Sequence, residues 1–186
     1  MTIGVLALQG DFAAHGRMLR SLGADVREVR AAADLDGLDG LVIPGGESTT
    51  MTLGIEREGL AEPLRALAAR DTPILGTCAG LIMLDRAHLG LMDIEARRNA
   101  FGRQVRSFEA DIQLAGMDGP PLRAVFIRAP WIAEHGDRVE ILASVDGHAI
   151  AAQEGSLLVA AFHPELGTDT RLHEHFLAMC ALSAAA

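Results

Sequence analysis

The first half of the chain alternates short apolar runs with stretches whose apolar residues recur at helical spacing. Because buried parallel strands joined by helices pack through right-handed crossovers, this alternation predicts a doubly wound α/β sheet. Sheets of this kind bind ligands at the carboxyl ends of their strands. The predicted elements are, in order, strand Ile3 to Leu8, helix Phe12 to Leu22, strands Asp25 to Val29 and Gly40 to Ile43, helices Thr49 to Arg57 and Leu60 to Arg70, and strand Pro73 to Gly76.

The second half carries shorter alternating strands, which predict a mixed or antiparallel extension of the sheet. These strands are Val105 to Leu114, Leu122 to Ile127, Val139 to Val145, Ala149 to Gln153 and Leu157 to Ala161. A final helix is predicted over Asp169 to Leu182, with Thr168 or Asp169 as its cap. Since no repeat or linker is visible, residues 1–186 are expected to form one domain, a three-layer, mostly parallel sheet flanked by helices.

Composition narrows the class of function. The net charge of −9 disfavours nucleic-acid binding, which needs a basic face. The clustered arginines at 97, 98, 103 and 106 therefore indicate a small local binding site and not a nucleic-acid-binding groove. No apolar run approaches the roughly 20 residues that span a membrane. The chain enters a strand at once, without a basic leader, so a cytoplasmic location is expected.

Two cysteines occupy different settings. Cys180 lies in an apolar helical stretch and is expected to be packed. Cys78 lies in Gly76–Gly80, directly after an apolar strand and before a helix-like stretch. A sharp turn at such a junction lifts the side chain towards a cleft, near the positive end of the following helix. The pattern therefore favours a reactive thiolate at Cys78.

A base for that thiol is available in Phe162–Glu165. His163 and Glu165 follow a predicted strand, and two-residue spacing in extended backbone would place both side chains on one side. A Cys/His/Glu triad is then available, with Glu165 orienting His163. By contrast, His173 and His175 are expected to be solvated residues at a polar helix start.

Two further groups of residues suggest a binding site. Gly45 and Gly46 follow a strand, and the amides after them could bind an oxyanion or a carboxylate, although the loop could also simply turn the chain, with Ser48 as a helix cap. Arg98 and Arg128 could pair with a carboxylate at the mouth of the cleft or serve only to solvate the surface. No metal site and no cofactor are expected, because the chain lacks CxxC, HExxH and phosphate-loop motifs.

Seven segments together resemble the class I (triad) glutamine amidotransferases, in which a Cys on a tight glycine turn pairs with a late His-Pro-Glu. The similarity is closer to the glutaminase subunits of two-component pyridoxal 5′-phosphate synthases, on the GGEST, RNxFGRQ and FIRAP segments. It covers essentially the whole chain. The segments are Gly4–Gly10, Pro44–Thr50, Gly76–Ile82, Arg98–Gln104, Ser107–Glu109, Phe126–Pro130 and Phe162–Leu166.

The resemblance implies hydrolysis of L-glutamine to glutamate and ammonia through a Cys78 thioester. Cys78 would be the nucleophile, His163 the base and then the acid, and Glu165 the orienting group. Backbone amides around Gly46 and Ala79 would form the oxyanion hole. The residues implied to hold the substrate are Gly46, Glu47, Ser48, Arg98, Ile127 and Arg128.

The resemblance also implies a partner. The ammonia would pass to a (β/α)8 synthase subunit that makes pyridoxal 5′-phosphate, within a large hetero-oligomer in which the glutaminase stays weak until the partner docks. One departure is visible, since Leu84–Leu89 is shorter than in many relatives and is interpreted as a trimmed surface loop.

Three alternatives remain open at this point. The chain could be a glutaminase subunit of another synthase, such as one making anthranilate or imidazole-glycerol phosphate. It could also be a noncatalytic module that binds a metabolite in the same cleft. A cysteine peptidase or γ-glutamyl hydrolase is disfavoured, because the arginine-lined site suits a free amino acid.

Overall fold

A sheet of nine strands flanked by helices dominates the computed structural model, which describes residues 1–98 and 107–185. The strands lie in the order β2-β1-β3-β4-β11-β10-β8-β5, with β9 paired to β10. Strands β6 and β7 form a separate hairpin. In chain order the strands are β1 (Thr2–Leu6), β2 (Asp25–Val29), β3 (Gly40–Ile43), β4 (Ile74–Thr77), β5 (Ile94–Arg97), β6 (Ser107–Ile112), β7 (Leu122–Ile127), β8 (Trp131–His135), β9 (Glu140–Val145), β10 (His148–Glu154) and β11 (Leu157–Ala160).

Five α-helices cover the sheet in the described ranges. They are α1 (Phe12–Ser21), α2 (Ser48–Arg57), α3 (Ala61–Ala68), α4 (Ala79–Leu84) and α5 (Arg171–Ser183). Short 3-10 turns occur at Ala32–Leu35 and Pro164–Leu166. No helix in residues 1–98 or 107–185 has the length and apolar character needed to cross a membrane.

The two halves of the chain meet where β11 pairs with β4. Strands β1 to β4 are mutually parallel, and β11 continues that parallel half with Ala160 opposite Thr77. The Cys78 amide also donates to the Ala160 carbonyl at 2.8 Å. Since parallel neighbours end at the same edge of a sheet, this pairing places the loop after β11 beside Cys78.

The remaining strands form the antiparallel extension predicted from the sequence. Strand β10 pairs with β11, β9 and β8, and β8 pairs with β5, in every case antiparallel. The β6–β7 hairpin is tied to the site because the His163 amide donates to the Val125 carbonyl at 2.9 Å. The fold class is therefore confirmed.

The sequence missed two strands and misplaced one cap. Strands β5 and β8 were not predicted. The residue flanking α5 is Thr170, which makes no side-chain capping bond, whereas the Asp169 carboxylate accepts from the Arg171 amide at 3.0 Å and pairs with its guanidinium. The start of the strand predicted from Val105 lies outside the described residues.

Candidate active site

Cys78 stands at a strained turn between β4 and α4. Its backbone has φ 48° and ψ −104°, a region that residues with a side chain rarely adopt. Such strain costs on the order of 1–3 kcal/mol and persists only where the surrounding structure enforces it. Here the cysteine amide is held by the β11 carbonyl of Ala160, so the sheet itself enforces the turn.

Cys78 and His163 both face Gly45. A Cβ atom at Gly45 would lie 2.5 Å from His163 Cε1 and 3.2 Å from Cys78 Cβ. Only glycine leaves room for the two side chains there. The thiol itself points to the Ile127 carbonyl, 3.8 Å from Sγ. The predicted nucleophile and base thus meet in one place, although they are far apart in the chain.

Glu165 contacts His163, but the backbone between them is not extended. The sequence argument assumed extended backbone, whereas Pro164–Leu166 is a 3-10 turn with proline at its start. The expected geometry was therefore wrong, because the fixed φ of Pro164 suits a helical turn. The expected contact is nevertheless present: Glu165 Oε1 lies 2.8 Å from His163 Nδ1, and both residues are buried.

A buried pair of histidines supports the other side of Glu165. His15 Nε2 lies 3.2 Å from Glu165 Oε2 and 3.1 Å from Thr77 Oγ1, and His15 Nδ1 lies 3.0 Å from His173 Nε2. The expectation of a solvated His173 was wrong, since both histidines are fully buried. His175 contacts Gln153 at 3.0 Å and is half-buried. A lone His15 within a helical pattern gave no sequence signal of this contact.

Burial and charge shift the pKa values of these groups in different directions. Burial lowers the pKa of His163, but hydrogen bonding and charge from Cys78 and Glu165 outweigh it and raise the value to about 10. Burial raises the pKa of Glu165, yet hydrogen bonds from His15 and His163 hold it well below its ordinary value. Burial lowers the pKa of His173 to about 3, so that ring stays neutral. Cys78 and Glu165 therefore favour the protonated form of His163.

The glycine loop before α2 is fixed by two hydrogen-bonding side chains. Gly46 has φ 149°, and a Cβ there would overlap the Gln9 amide, whose Oε1 accepts from the Glu47 amide at 3.0 Å. Glu47 caps α2 through the Thr49 and Thr50 amides, at 3.1 and 2.7 Å. These bonds lower the Glu47 pKa to about 2, that from Thr50 most. The capping residue is thus Glu47 and not Ser48.

One cavity of about 280 Å³ collects the residues expected to bind substrate. Cys78 and His163 line it together with Asp11, Ile82 and Pro130, which the sequence analysis did not single out. The predicted residues on its wall are Gly46, Glu47, Ser48, Ala79, Arg98, Ile127 and Arg128. The volume is at the small end for ligand pockets and suits a single amino acid. Residues 99–104 of the RNxFGRQ segment, like Arg106, lie outside the described part of the chain.

Three side chains of the site also carry atoms of the kind that bind metal ions. Asp11, His163 and Glu165 bring one candidate ligand atom each to within 4.8 Å of one another. His163 and Glu165 already hydrogen-bond to each other, and Asp11 is exposed. The arrangement therefore suits acid–base chemistry beside a thiol better than it suits an ion.

The chain is similar to known proteins over nearly its whole length. The model of the SNO glutamine amidotransferase family matches residues 5–182. This chain belongs to that family. The amidotransferase is 53% identical to "Pyridoxal 5′-phosphate synthase subunit PdxT" of Acidothermus cellulolyticus, over 98% of this chain and 95% of the relative. It is 50% identical to the protein of the same name from Frankia alni, over 94% of this chain and 92% of that relative.

A solved structure agrees with this assignment. A chain described as a glutamine amidotransferase superposes with a TM-score of 0.90 at 40% identity, covering 96% of this chain and 98% of the other. The similarity therefore extends over both halves of the sheet. The protein is an enzyme of the glutamine amidotransferase class.

Proposed function

We propose that this amidotransferase hydrolyses L-glutamine to L-glutamate and ammonia, and that it supplies the ammonia to a synthase subunit making pyridoxal 5′-phosphate. The observation that carries the proposal is a single cavity in which Cys78 and His163, backed by Glu165, face the residues expected to hold glutamine. The relatives named PdxT support the choice of pathway. Residues 1–186 act as one glutamine amidotransferase domain in this proposal.

The chemistry proceeds in two acyl-transfer steps. The Cys78 sulfur attacks the side-chain carboxamide carbon, a C–S bond forms, and the C–N bond breaks as His163 gives its proton to the departing ammonia. A water molecule, deprotonated by His163, then attacks the thioester and releases glutamate and the thiol. Glu165 holds His163 in position through Nδ1 and stabilises its charged form.

Backbone amides and charged side chains divide the remaining tasks. The amides of Gly46 and Ala79 are assigned to stabilising the tetrahedral oxyanion. In enzymes of this kind, the loss of one such hydrogen-bond donor typically slows the reaction on the order of a hundredfold. Arg98 and Arg128 are assigned to the substrate carboxylate, and Glu47 supplies the negative charge for its ammonium group. Ser48 and Ile127 complete the wall of the cavity.

The proposed partner is a (β/α)8 synthase subunit in a large hetero-oligomer, and the proposed location is the cytoplasm. Both cysteines are free, and Cys78 must stay reduced to act as a nucleophile. A reducing compartment meets that requirement. Direct transfer between subunits would also protect ammonia from protonation by bulk water.

Replacing the nucleophile tests the proposal. In the complex with the synthase subunit, Cys78→Ala and His163→Asn are expected to abolish glutamine-dependent synthesis, while synthesis from added ammonia continues. Cys180→Ala is the matched control, because Cys180 is buried in α5 and is not among the residues lining the cavity, so glutamate release should persist. Undiminished glutamate release by Cys78→Ala would refute the assignment.

A further inference from the structure

Arg98 lines the cavity, and its guanidinium is held by side chains that are not among the lining residues. Arg98 Nη2 lies 3.1 Å from His88 Nε2, and Nη1 lies 3.4 Å from Thr49 Oγ1. A guanidinium only donates hydrogen bonds, so His88 must accept through Nε2. His88 lies in Leu84–Leu89, the segment interpreted from the sequence as a trimmed surface loop. That loop therefore contacts a residue of the binding site.

The tautomer of His88 is fixed from its other side. His88 Nδ1 lies 2.7 Å from Asp85 Oδ1, and an imidazole that accepts through Nε2 keeps its single proton on Nδ1 for that carboxylate. Asp85 is only 2% exposed. Its Oδ1 also accepts from the amides of Ala87 and His88, at 2.8 and 3.0 Å. The buried carboxylate thus holds the ring so that Nε2 faces Arg98.

Helix α4 links this contact to the nucleophile. Cys78 precedes the helix, Asp85 follows it, and its six residues span about 9 Å. The loop after Asp85 is joined to the start of β5, because the Arg86 amide donates to the Ile94 carbonyl at 3.1 Å. One rigid element therefore sets both the sulfur and the group that holds Arg98.

We propose that His88 is a positioning residue that aims Arg98 at the carboxylate of the substrate, through the chain Asp85–His88–Arg98. The proposal rests on the proposed glutaminase function. A neutral imidazole suits this task better than a carboxylate would, because it fixes the guanidinium without cancelling its charge. His88 accordingly governs the binding of a free amino acid and leaves the chemistry at Cys78 unchanged.

Two substitutions separate the two bonds of His88. His88→Asn keeps a donor near Nδ1 for Asp85 but removes the acceptor for Arg98, whereas His88→Gln places an amide oxygen near the former Nε2. In glutamate-release assays with the synthase subunit present, His88→Asn should raise KM about tenfold to a hundredfold with kcat within about twofold of wild type, as expected for losing one hydrogen bond to a charged group. His88→Gln should recover most of the wild-type KM.

The coupling with Arg98 gives a second readout. Arg98→Ala should raise KM at least as much as His88→Asn, and the double variant should be no worse than Arg98→Ala alone, because the two residues act as one unit. His135→Ala is the matched control, since His135 is exposed and, within the described residues, its ring has the Gly136 carbonyl as its hydrogen-bond partner. Its KM should be unchanged.

The tautomer can be measured without catalysis. A long-range ¹H–¹⁵N spectrum of the protein should show His88 protonated at Nδ1 and unprotonated at Nε2. A proton at Nε2, or a wild-type KM in His88→Asn beside a raised KM in Arg98→Ala, would overturn the positioning role. If the wild-type complex released no glutamate, the glutaminase assignment would fail instead, and the tautomer would still decide whether His88 holds Arg98.

Discussion

At the scale of single residues, the site depends on the interaction between a thiol and an imidazole. Burial alone would make His163 a weaker base than an exposed histidine. Cys78 and Glu165 reverse that effect and raise its pKa to about 10. Both groups therefore favour the protonated ring, which is the form that can protonate departing ammonia.

Removing the thiol should lower the pKa of His163. In Cys78→Ala the contribution of the sulfur is lost, while burial continues to favour the neutral ring. We expect the pKa to fall, as followed by ¹H–¹⁵N NMR of the imidazole between pH 5 and 11. A pKa equal to that of the wild-type protein would contradict the proposed pairing.

The same shift has a consequence for stability. An imidazole whose pKa is raised on folding stabilises the folded state fully below about pH 6.5, its unfolded value, and this contribution is lost as the pH rises through about 10. Cys180 also lowers the stability of the folded state as the pH rises above about 8.5, because burial raises its pKa to about 12. The contribution of His163 to the pH dependence of the free energy of unfolding should therefore be measured in a Cys180→Ala protein, where the thiol of residue 180 no longer titrates.

At the scale of elements, the position of α4 depends on one glycine. A Cβ at Gly80 would overlap the carbonyl oxygen of Ile43 at the end of β3. The neighbouring atom is backbone and cannot rotate away, so a larger residue must push the helix off the sheet. Since Cys78 immediately precedes α4, that movement would also shift the nucleophile.

Gly80→Ala should therefore lose both stability and activity. We expect the free energy of unfolding to fall by about 1–3 kcal/mol in urea denaturation, and glutamate release to fall at least tenfold. Gly16→Ala in α1 is the matched control, because the Cβ would lie 3.2 Å from the flexible end of Arg20 and alanine favours a helix. A Gly80→Ala protein as stable and active as Gly16→Ala would contradict this account of the packing.

Elements with many buried residues were predictable, whereas two of the sparsely buried strands were missed. Strand β7 and the bounds of β3 were predicted correctly, because buried apolar residues mark them, and β2 was predicted correctly although Val29 is its one buried residue. Strands β5 and β8 have one buried residue each, so they lack the alternation that reveals a strand. Strands β5 and β8 form by pairing with each other, and their own amino-acid composition does not mark them as strands.

The same limit applies to the site. Cys78 and His163 were predictable because each follows a recognisable strand, and their catalytic roles stay predictions. His15 and His88 carried no such signal. The partner of His15 in α5 is 158 positions away, and His88 lies in a loop whose importance depends on Arg98. Contacts of this kind arise only when the sheet has brought distant segments together.

At the scale of the whole molecule, the site exists only when both halves of the sheet are assembled. Cys78 follows β4 in the parallel half, and His163 follows β11, which is also the first strand of the antiparallel extension. Buried apolar residues form one cluster that includes Ile3 in β1 and Ile132 in β8. A continuous core of this kind favours cooperative unfolding.

Two natural probes allow the cooperativity to be measured. Trp131, the one tryptophan of the sequence, lies in β8 of the extension. Cys180 lies in α5, fully buried against Gly40 of β3, and is the one thiol left in a Cys78→Ala protein. The fluorescence of the first and the alkylation of the second therefore report on opposite halves of the molecule.

In a Cys78→Ala protein, Trp131 fluorescence and pulsed alkylation of Cys180 should show the same urea midpoint, and far-UV circular dichroism should follow both. The physical reason is that β10 and β11 cannot detach from β4 without exposing the shared core. A Trp131 transition at clearly lower urea than Cys180 alkylation would mean that the extension unfolds separately. In that case the imidazole and the sulfur would belong to two units of different stability, and the proposal of a single domain would fail.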